Sequence, residues 1–410
     1  MNKPHTNWKK LKIEDCAEVI GGGTPSTKKK EYWDGDISWI TPKDLSNYNN
    51  RYISKGSRNI SEKGLKYSSA RLLPKNSVLL TTRAPIGYLA ISKKELATNQ
   101  GFKSLIMKNG NVPEFFYYLL KNNINKLLQY ASGTTFMELN ATNLKSIEFY
   151  IPEVKEQKRI ASILSALDDK IELNNKTNKI LEEMAQTIFK EWFINFNFPN
   201  EDGKPYKKSG GEMIDSELGK IPKGWKVITL KDIISIAKGK KPKATSDKIT
   251  EKFTMPYLTI NCYNNEATEY TEYNEKMHVK ELDIIMVMDG NAGKIFYGKE
   301  GILSSTMAKL IVKDSNLNEL VFYFLKSIEY DLMYHTVGSV IQHADKQYML
   351  NKKFCVSLDN LERLSDIFKC IRKEISLNKK ENEKLSNIRD SLLPKLMTPK
   401  GRRADGEIRV

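Results

Sequence analysis

Cysteine is scarce and unpaired here: the 410 residues contain four, Cys16, Cys262, Cys355 and Cys370, with no Cys-x-x-Cys spacing. That excludes a disulfide framework and a thiolate zinc site and leaves buried free thiols as the reading. Histidine is equally sparse, and His335 and His343 have no third ligand nearby, so no metal is assigned. No apolar run reaches about 18 residues, which excludes a membrane-spanning helix, and no charged-then-apolar leader follows Met1. A cytoplasmic protein with no membrane partner is expected.

The loops of nucleotide chemistry are missing too. The nearest approach to a Walker A loop, Gly290-Asn-Ala-Gly-Lys294, has the wrong glycine spacing and Ile295 after the lysine. No Gly-x-Gly-x-x-Gly follows a strand, and no Gly-x-Ser-x-Gly elbow or Asn/Asp-Pro-Pro-aromatic tetrapeptide occurs. Asp168-Asp169 falls in a helical segment, where a solvated face is expected. A chain this long without a catalytic constellation reads as a recognition or scaffold component, not an enzyme.

What is present is positive charge, +16 net, with 40% hydrophobic and 28% charged residues, the balance of a globular protein of two or three domains. Residues 1–152 hold 23 Lys/Arg against 12 Asp/Glu, while 153–192 hold 7 against 8. The surplus belongs to a globular part. It suits a polyanion partner; an ordinarily Lys-rich proteome is the alternative.

Also present is a repeat. Ile160, Leu164, Leu167, Ile171, Asn174, Asn178, Leu181, Ala185, Ile188 and Trp192 follow an unbroken 3.5-residue period, the seam of a two-stranded coiled coil. The pattern returns as Leu364, Phe368, Ile371, Ile375, Asn378, Asn382, Leu385 and Leu392, displaced by 204 residues at every pair, asparagines included. Trp8 to Ile20 reads as an alternating segment, residues 115–130 as an amphipathic helix after Pro113, and Trp39-Ile-Thr41 and Ser77-Val-Leu-Leu-Thr-Thr82 as strands. The second half echoes them: Gly224-Trp-Lys-Val for Asn7-Trp-Lys-Lys, Gly239-Lys-Lys-Pro242 for Gly23-Thr-Pro25, Pro256-Tyr-Leu-Thr259 for Ser38-Trp-Ile-Thr41, and a helix over 320–334. The framework repeats while the loops differ.

The fold class expected is α+β: two similar mixed α/β recognition modules separated by two long helices packed as an antiparallel coiled coil, in a pseudo-twofold internal repeat. The first module spans 1–152, the first helix 153–196, a linker 197–222, the second module 223–358, the second helix 359–397 and a basic tail 398–410.

These residues resemble the specificity subunits of Type I DNA restriction-modification systems. The likeness rests on Gly22-Gly-Thr-Pro-Ser26, on Ser132-Gly-Thr-Thr135 followed by Leu144-Lys-Ser-Ile-Glu-Phe-Tyr-Ile-Pro152, and on Glu156-Gln-Lys-Arg-Ile160. Ile188-Phe-Lys-Glu-Trp-Phe193, Ile221-Pro-Lys-Gly-Trp225, Leu393-Pro-Lys-Leu396 and Gly406-Glu-Ile-Arg-Val410 complete it. Departures are Val337-Gly-Ser-Val340 and Asn360-Leu-Glu-Arg-Leu364 in the second module and an apparent insertion over 399–405. The resemblance implies a non-catalytic subunit with two target recognition domains, each reading half of a split double-stranded DNA target. It implies two methyltransferase subunits that use S-adenosylmethionine to methylate adenine N6, and two restriction subunits that use ATP, with magnesium, to translocate and cleave. No cofactor is expected on this chain.

The repeat carries a physical account of its own. Antiparallel pairing about a centre midway along the seam sets Asn174 against Asn382 and Asn178 against Asn378, and buried seam asparagines fix register at a cost in stability. A seam from 160 to 192 spans about 48 Å, on the order of fourteen base pairs, and would set the unread spacer. Phosphate contacts are expected from Thr24, Ser26, Thr27, Lys28, Lys29, Lys30, Thr134 and Thr135, and from Lys240, Lys241, Lys243 and Lys294. Base contacts are expected from Arg51, Arg58, Arg83, Asn99 and Gln100 in the first module and Asn261, Asn291 and Gln342 in the second. Trp39, Tyr88, Trp225 and Tyr257 read as core. The rival reading is a standalone two-module DNA-binding architectural or regulatory protein.

Overall fold

The computed structural model describes residues 8–133, 137–263, 269–338, 342–357 and 361–399. It divides into two compact units, residues 1–175 with 379–410, and residues 176–378. The long helices run Val154–Phe189 and Leu361–Leu396, so each unit contains one module and part of each helix.

In the first unit the segment from Trp8 to Ile20 is not one strand. Lys9–Lys12 pairs antiparallel with Glu148–Ile151, a single helical turn Ile13–Cys16 follows, and Ala17–Gly21 enters a different sheet. Cys16 and Ala17 are both buried, whereas an extended chain would send them to opposite faces. The main sheet has the order Ala17–Gly21, Lys103–Met107, Val78–Thr82, Ile86–Ser92, Tyr52–Ile53. All five residues of Val78–Thr82 are buried, as befits a strand covered on both faces. Helices Pro113–Asn122 and Ile124–Gln129 pack against the sheet. A cluster of Leu79, Ala90, Phe102 and Ile40 joins it to a smaller sheet of Arg58–Ile60, Trp33–Ile40 and Ala97–Thr98. The helix expected over 115–130 is therefore two, broken at Asn123, whose side-chain amide donates to Leu119 O at 2.8 Å.

The second unit repeats this order. Trp225–Thr229 pairs with Lys353–Ser357, the turn Leu230–Ile233 follows, and a sheet of Ile234–Lys238, Met307–Val312, Ile284–Val287 and Ile295–Tyr297 takes the main position. Its smaller sheet contains a parallel pair, Tyr257 and Leu258 against Ile302 and Leu303, like Trp39 and Ile40 against Ala97 and Thr98. Even the joint is copied: Ile13 N–H donates to Ile147 O and Leu230 N–H to Lys352 O, both at 3.0 Å. The helix expected over 320–334 is again double, Asn318–Ser327 and Glu329–Tyr334.

The segment 197–222 is more ordered than its Gly/Pro/Lys/Glu/Ser composition suggests. Met213–Ser216 pairs with Gly219–Pro222, Phe198 stacks on Tyr206 and Trp225, and Ile221 is buried. A few apolar anchors are enough to fold a polar stretch.

The helices run antiparallel within each unit. In the first, Asp168 meets Arg389 and Asn174 meets Asn382, with Asn174 Nδ2 donating to Asn382 Oδ1 at 2.9 Å and to Glu381 Oε2 at 2.7 Å. In the second, Asn378 Nδ2 donates to Asn178 Oδ1 at 2.9 Å, and Phe189 lies against Phe368. Asp168 corrects the expectation of a solvated face: it is 6% exposed, accepts from the Tyr118 hydroxyl at 2.6 Å and pairs with Arg389 at 2.7 Å.

Candidate nucleic-acid interface

The glycine loop of the first unit crosses the end of the sheet at closest backbone approach. Gly22 N–H donates to Phe102 O at 3.3 Å and Gly23 N–H to Thr98 O at 2.9 Å. A Cβ at Gly22 would lie 2.0 Å from Asn99 O, so no other residue fits there. Trp39 Nε1 donates to Gly23 O at 2.9 Å and Trp33 Nε1 to Ser26 O at 3.1 Å. With its carbonyls tied inward, the loop leaves Thr24, Ser26, Thr27, Lys28, Lys29 and Lys30 exposed.

Other expected contact residues gather on this loop. The Thr24 hydroxyl bonds the Gln100 side chain, and Arg58 lies exposed with its guanidinium 3.7 Å from the Trp33 ring centre. Lys29 Nζ donates to the Tyr32 hydroxyl at 3.0 Å, which raises the lysine pKa. Asn99 Oδ1 accepts from Gly101 N–H at 2.9 Å, so half of that amide is committed to its own turn. Arg83 follows the buried strand Val78–Thr82 and bridges Glu138, with 4.0 Å between the charges; Lys103 reaches the same carboxylate at 3.8 Å.

Arg51 does not join them and is a correction. It is 4% exposed, its Nη2 pairs with Asp169 at 2.5 Å, its Nη1 donates to the Tyr118 hydroxyl at 3.0 Å, and its backbone N–H donates to Glu172 at 2.6 Å. A guanidinium so enclosed fastens the module to the first long helix and is not available to a base edge. Thr134 and Thr135 lie outside the described residues.

The second unit presents the same frame. Gly239 N–H donates to Met307 O at 3.0 Å and a Cβ there would lie 2.1 Å from Ser304 O, which makes Gly239 the counterpart of Gly22. Lys240, Lys241 and Lys243 follow it, all exposed. Asn291 is exposed in the turn after Ile284–Val287, Lys294 is half-buried in the same turn, and Gln342 is exposed, its backbone carbonyl accepting from Gly290 N–H at 3.0 Å. Asn261 is exposed on a separate turn, Ile260–Tyr263.

Two residues here escaped sequence reasoning. Asp289 Oδ1 takes His343 Nδ1 at 2.7 Å and its Oδ2 lies 3.4 Å from Lys238 Nζ. Burial pushes the Asp289 carboxyl up, but the His343 hydrogen bond and Lys238 outweigh it and hold it below the usual range. Alignment of the repeat through the strand end at Arg83 would have pointed to Asp289. Nothing local marks His343. In both units, then, amides and cations surround the sheet end, joined in the first by the hydroxyls of Thr24, Ser26 and Thr27, a surface suited to phosphates and base edges.

A sequence model of the Type I restriction modification DNA specificity domain matches the chain twice, over residues 5–183 and 222–387. The chain therefore belongs to the family of Type I restriction-modification specificity subunits, proteins of DNA recognition. It is 36% identical over 98% of its length to the Type I restriction enzyme MjaIX specificity subunit of Methanocaldococcus jannaschii, covering 94% of that protein. It is 29% identical to the EcoR124I/EcoR124II specificity subunit of Escherichia coli over 44% of each chain. Among solved structures, the Type I restriction-modification S subunit from M. genitalium shares the fold, with a TM-score of 0.60 at 18% identity over 97% of this chain and 98% of that one.

Proposed function

We propose that this chain is the sequence-reading, non-catalytic subunit of a Type I restriction-modification complex and recognises a two-part, asymmetric DNA target. The observation that carries the reading is one backbone frame built twice with different side chains at its tips. A repeated frame suits two half-sites, and unlike tips suit unlike sequences. The paired asparagines, Asn174 with Asn382 and Asn178 with Asn378, support a helix pair held in one register that sets the unread spacer.

The complex includes two methyltransferase subunits that bind S-adenosylmethionine and methylate adenine N6, and two restriction subunits that use ATP and magnesium, all acting on cytoplasmic DNA. Exposed apolar residues on the long helices support a pair of identical partners. Leu173 and Leu377 (57% and 52% exposed) are displaced by the repeat, as are Met184 and Ile388 (49% and 47%). Exposed apolar residues that recur at one displacement suit two copies of one subunit.

The test is co-expression with the methyltransferase subunits and mapping of methylated adenines. A split motif with a constant gap is expected. A heptad inserted in each long helix should lengthen the gap by about 10 Å, roughly three base pairs. A contiguous motif, or methyl transfer by the purified chain alone, overturns the reading.

A further inference from the structure

The strand end that precedes the variable tips is the same junction in both units, and its side chains are opposite in kind. In the first unit Thr82 N–H donates to Gly101 O at 2.8 Å and Thr82 O accepts from Leu139 N–H at 2.9 Å. In the second, Met288 N–H donates to Thr306 O and Met288 O accepts from Ala344 N–H, both at 2.8 Å. The next residue on each strand bridges the residue before that amide: Arg83 bridges Glu138, and Asp289 bridges His343. Arg83 and Asp289 thus occupy one position, and Glu138 and His343 the other.

Exposure separates the members of each pair. Arg83 and Glu138 are 39% and 40% exposed and only loosely paired. Asp289 is 21% exposed with both oxygens engaged, whereas the His343 imidazole is 55% exposed. A carboxylate at Nδ1 holds the ring proton on that nitrogen and leaves Nε2 as a lone-pair acceptor in the neutral ring. His343 Nε2 makes no hydrogen bond among the described residues.

We propose that His343, oriented by Asp289, reads a base edge in the second half-site, at the junction where the Arg83–Glu138 pair stands in the first. This rests on the reading of both units as DNA readers. Arg83 can only donate, so its position takes a major-groove acceptor, and the O6/N7 edge of guanine is the one that receives two of its donors at once. Neutral His343 offers Nε2 as an acceptor, so its position demands an exocyclic amine, on adenine N6 or cytosine N4. Asp289 is a positioning residue: it selects the tautomer.

The experiment is motif determination by selection from randomised duplexes at pH 8, using the complex of this chain with its methyltransferase subunits. The wild-type complex is expected to specify each base pair of the second half-site, including the one that His343 reads. His343→Ala should make that base pair degenerate, with about a tenfold loss of affinity for the original site and an unchanged first half-site. Asp289→Asn, whose amide can donate to Nδ1 and return the proton to Nε2, should move the preference there toward guanine. An unaltered motif in both variants overturns the proposal, and so does a uniform weakening across all sequences, which marks a phosphate contact. If His343→Ala fails to assemble, His343→Gln decides by the same readout. Failure of the wild-type complex to select any sequence sinks the DNA-reading premise itself and is distinct from these results.

Discussion

The first unit fastens its module to the long helices with an extended network of ion pairs, the second with aromatic rings and one buried cation, Arg372. In the first, Arg51, Tyr118, Asp168, Asp169 and Arg389 form a continuous polar network. In the second, Phe368 touches Phe189, Phe193 and Tyr323, with ring centres 5.0 to 6.4 Å apart, and Phe193 continues to Trp225. The sheets, turns and joints are nonetheless the same. Backbone hydrogen bonding maintains the frame, so the side chains that glue it are free to differ.

That contrast can be broken. Phe368→Ala should cost the second unit about 4 kcal/mol through the cavity it leaves. Amide exchange in Ile284–Val287 should accelerate while Val78–Thr82 in the first unit stays protected. Equal acceleration in both would show one cooperative block and dissolve the comparison.

Arg51→Met should cost the first unit about 3 kcal/mol, because it removes a buried cation with three partners. A double-mutant cycle with Asp169→Asn, read by urea denaturation, should show coupling between the two; additive losses would mean the ion pair contributes nothing. In the seam, joint replacement of Asn178 and Asn378 by leucine should raise stability by about 1 to 2 kcal/mol while loosening register. Cross-linking of cysteines placed one heptad out of step measures the loosening, and unchanged cross-linking would deny the asparagines that role.

The smallest effect is a pH slope confined to the second unit. Burial lifts the Glu319 carboxyl above its ordinary 4.5, with Tyr297 as its hydrogen-bond partner. The native chain then holds a proton that the unfolded chain has lost, so stability declines as pH rises from about 4.5 through the raised native value. Glu319→Gln should flatten that decline and leave the variant the more stable at neutral pH. A steeper decline in thermal midpoints would reverse the assignment.

The long helices were legible because a 3.5-residue period is a local property, and the recurrence of Asn174 and Asn178 at one displacement pointed to their partners. The exposed tips, Lys28 to Lys30 and Lys240 to Lys243, were legible from glycine, proline and charge. Arg51 was not, since its burial depends on Tyr118 and Asp169, which only the tertiary fold brings to it. Asp289 and His343 were missed for the same reason, and the turn Ile13–Cys16 because a single helical turn between two strands has no period to detect.

The first unit takes Leu393, Leu396 and Met397 into the same core as Ile13, Phe115 and Leu164. On the ribosome, the part of this unit made first must therefore wait with an open flank until residues 393–397 are translated, while the unit of residues 176–378, continuous in sequence, can close before it. A truncation ahead of Leu393 would strip that shelter from Ile13, Phe115 and Leu164.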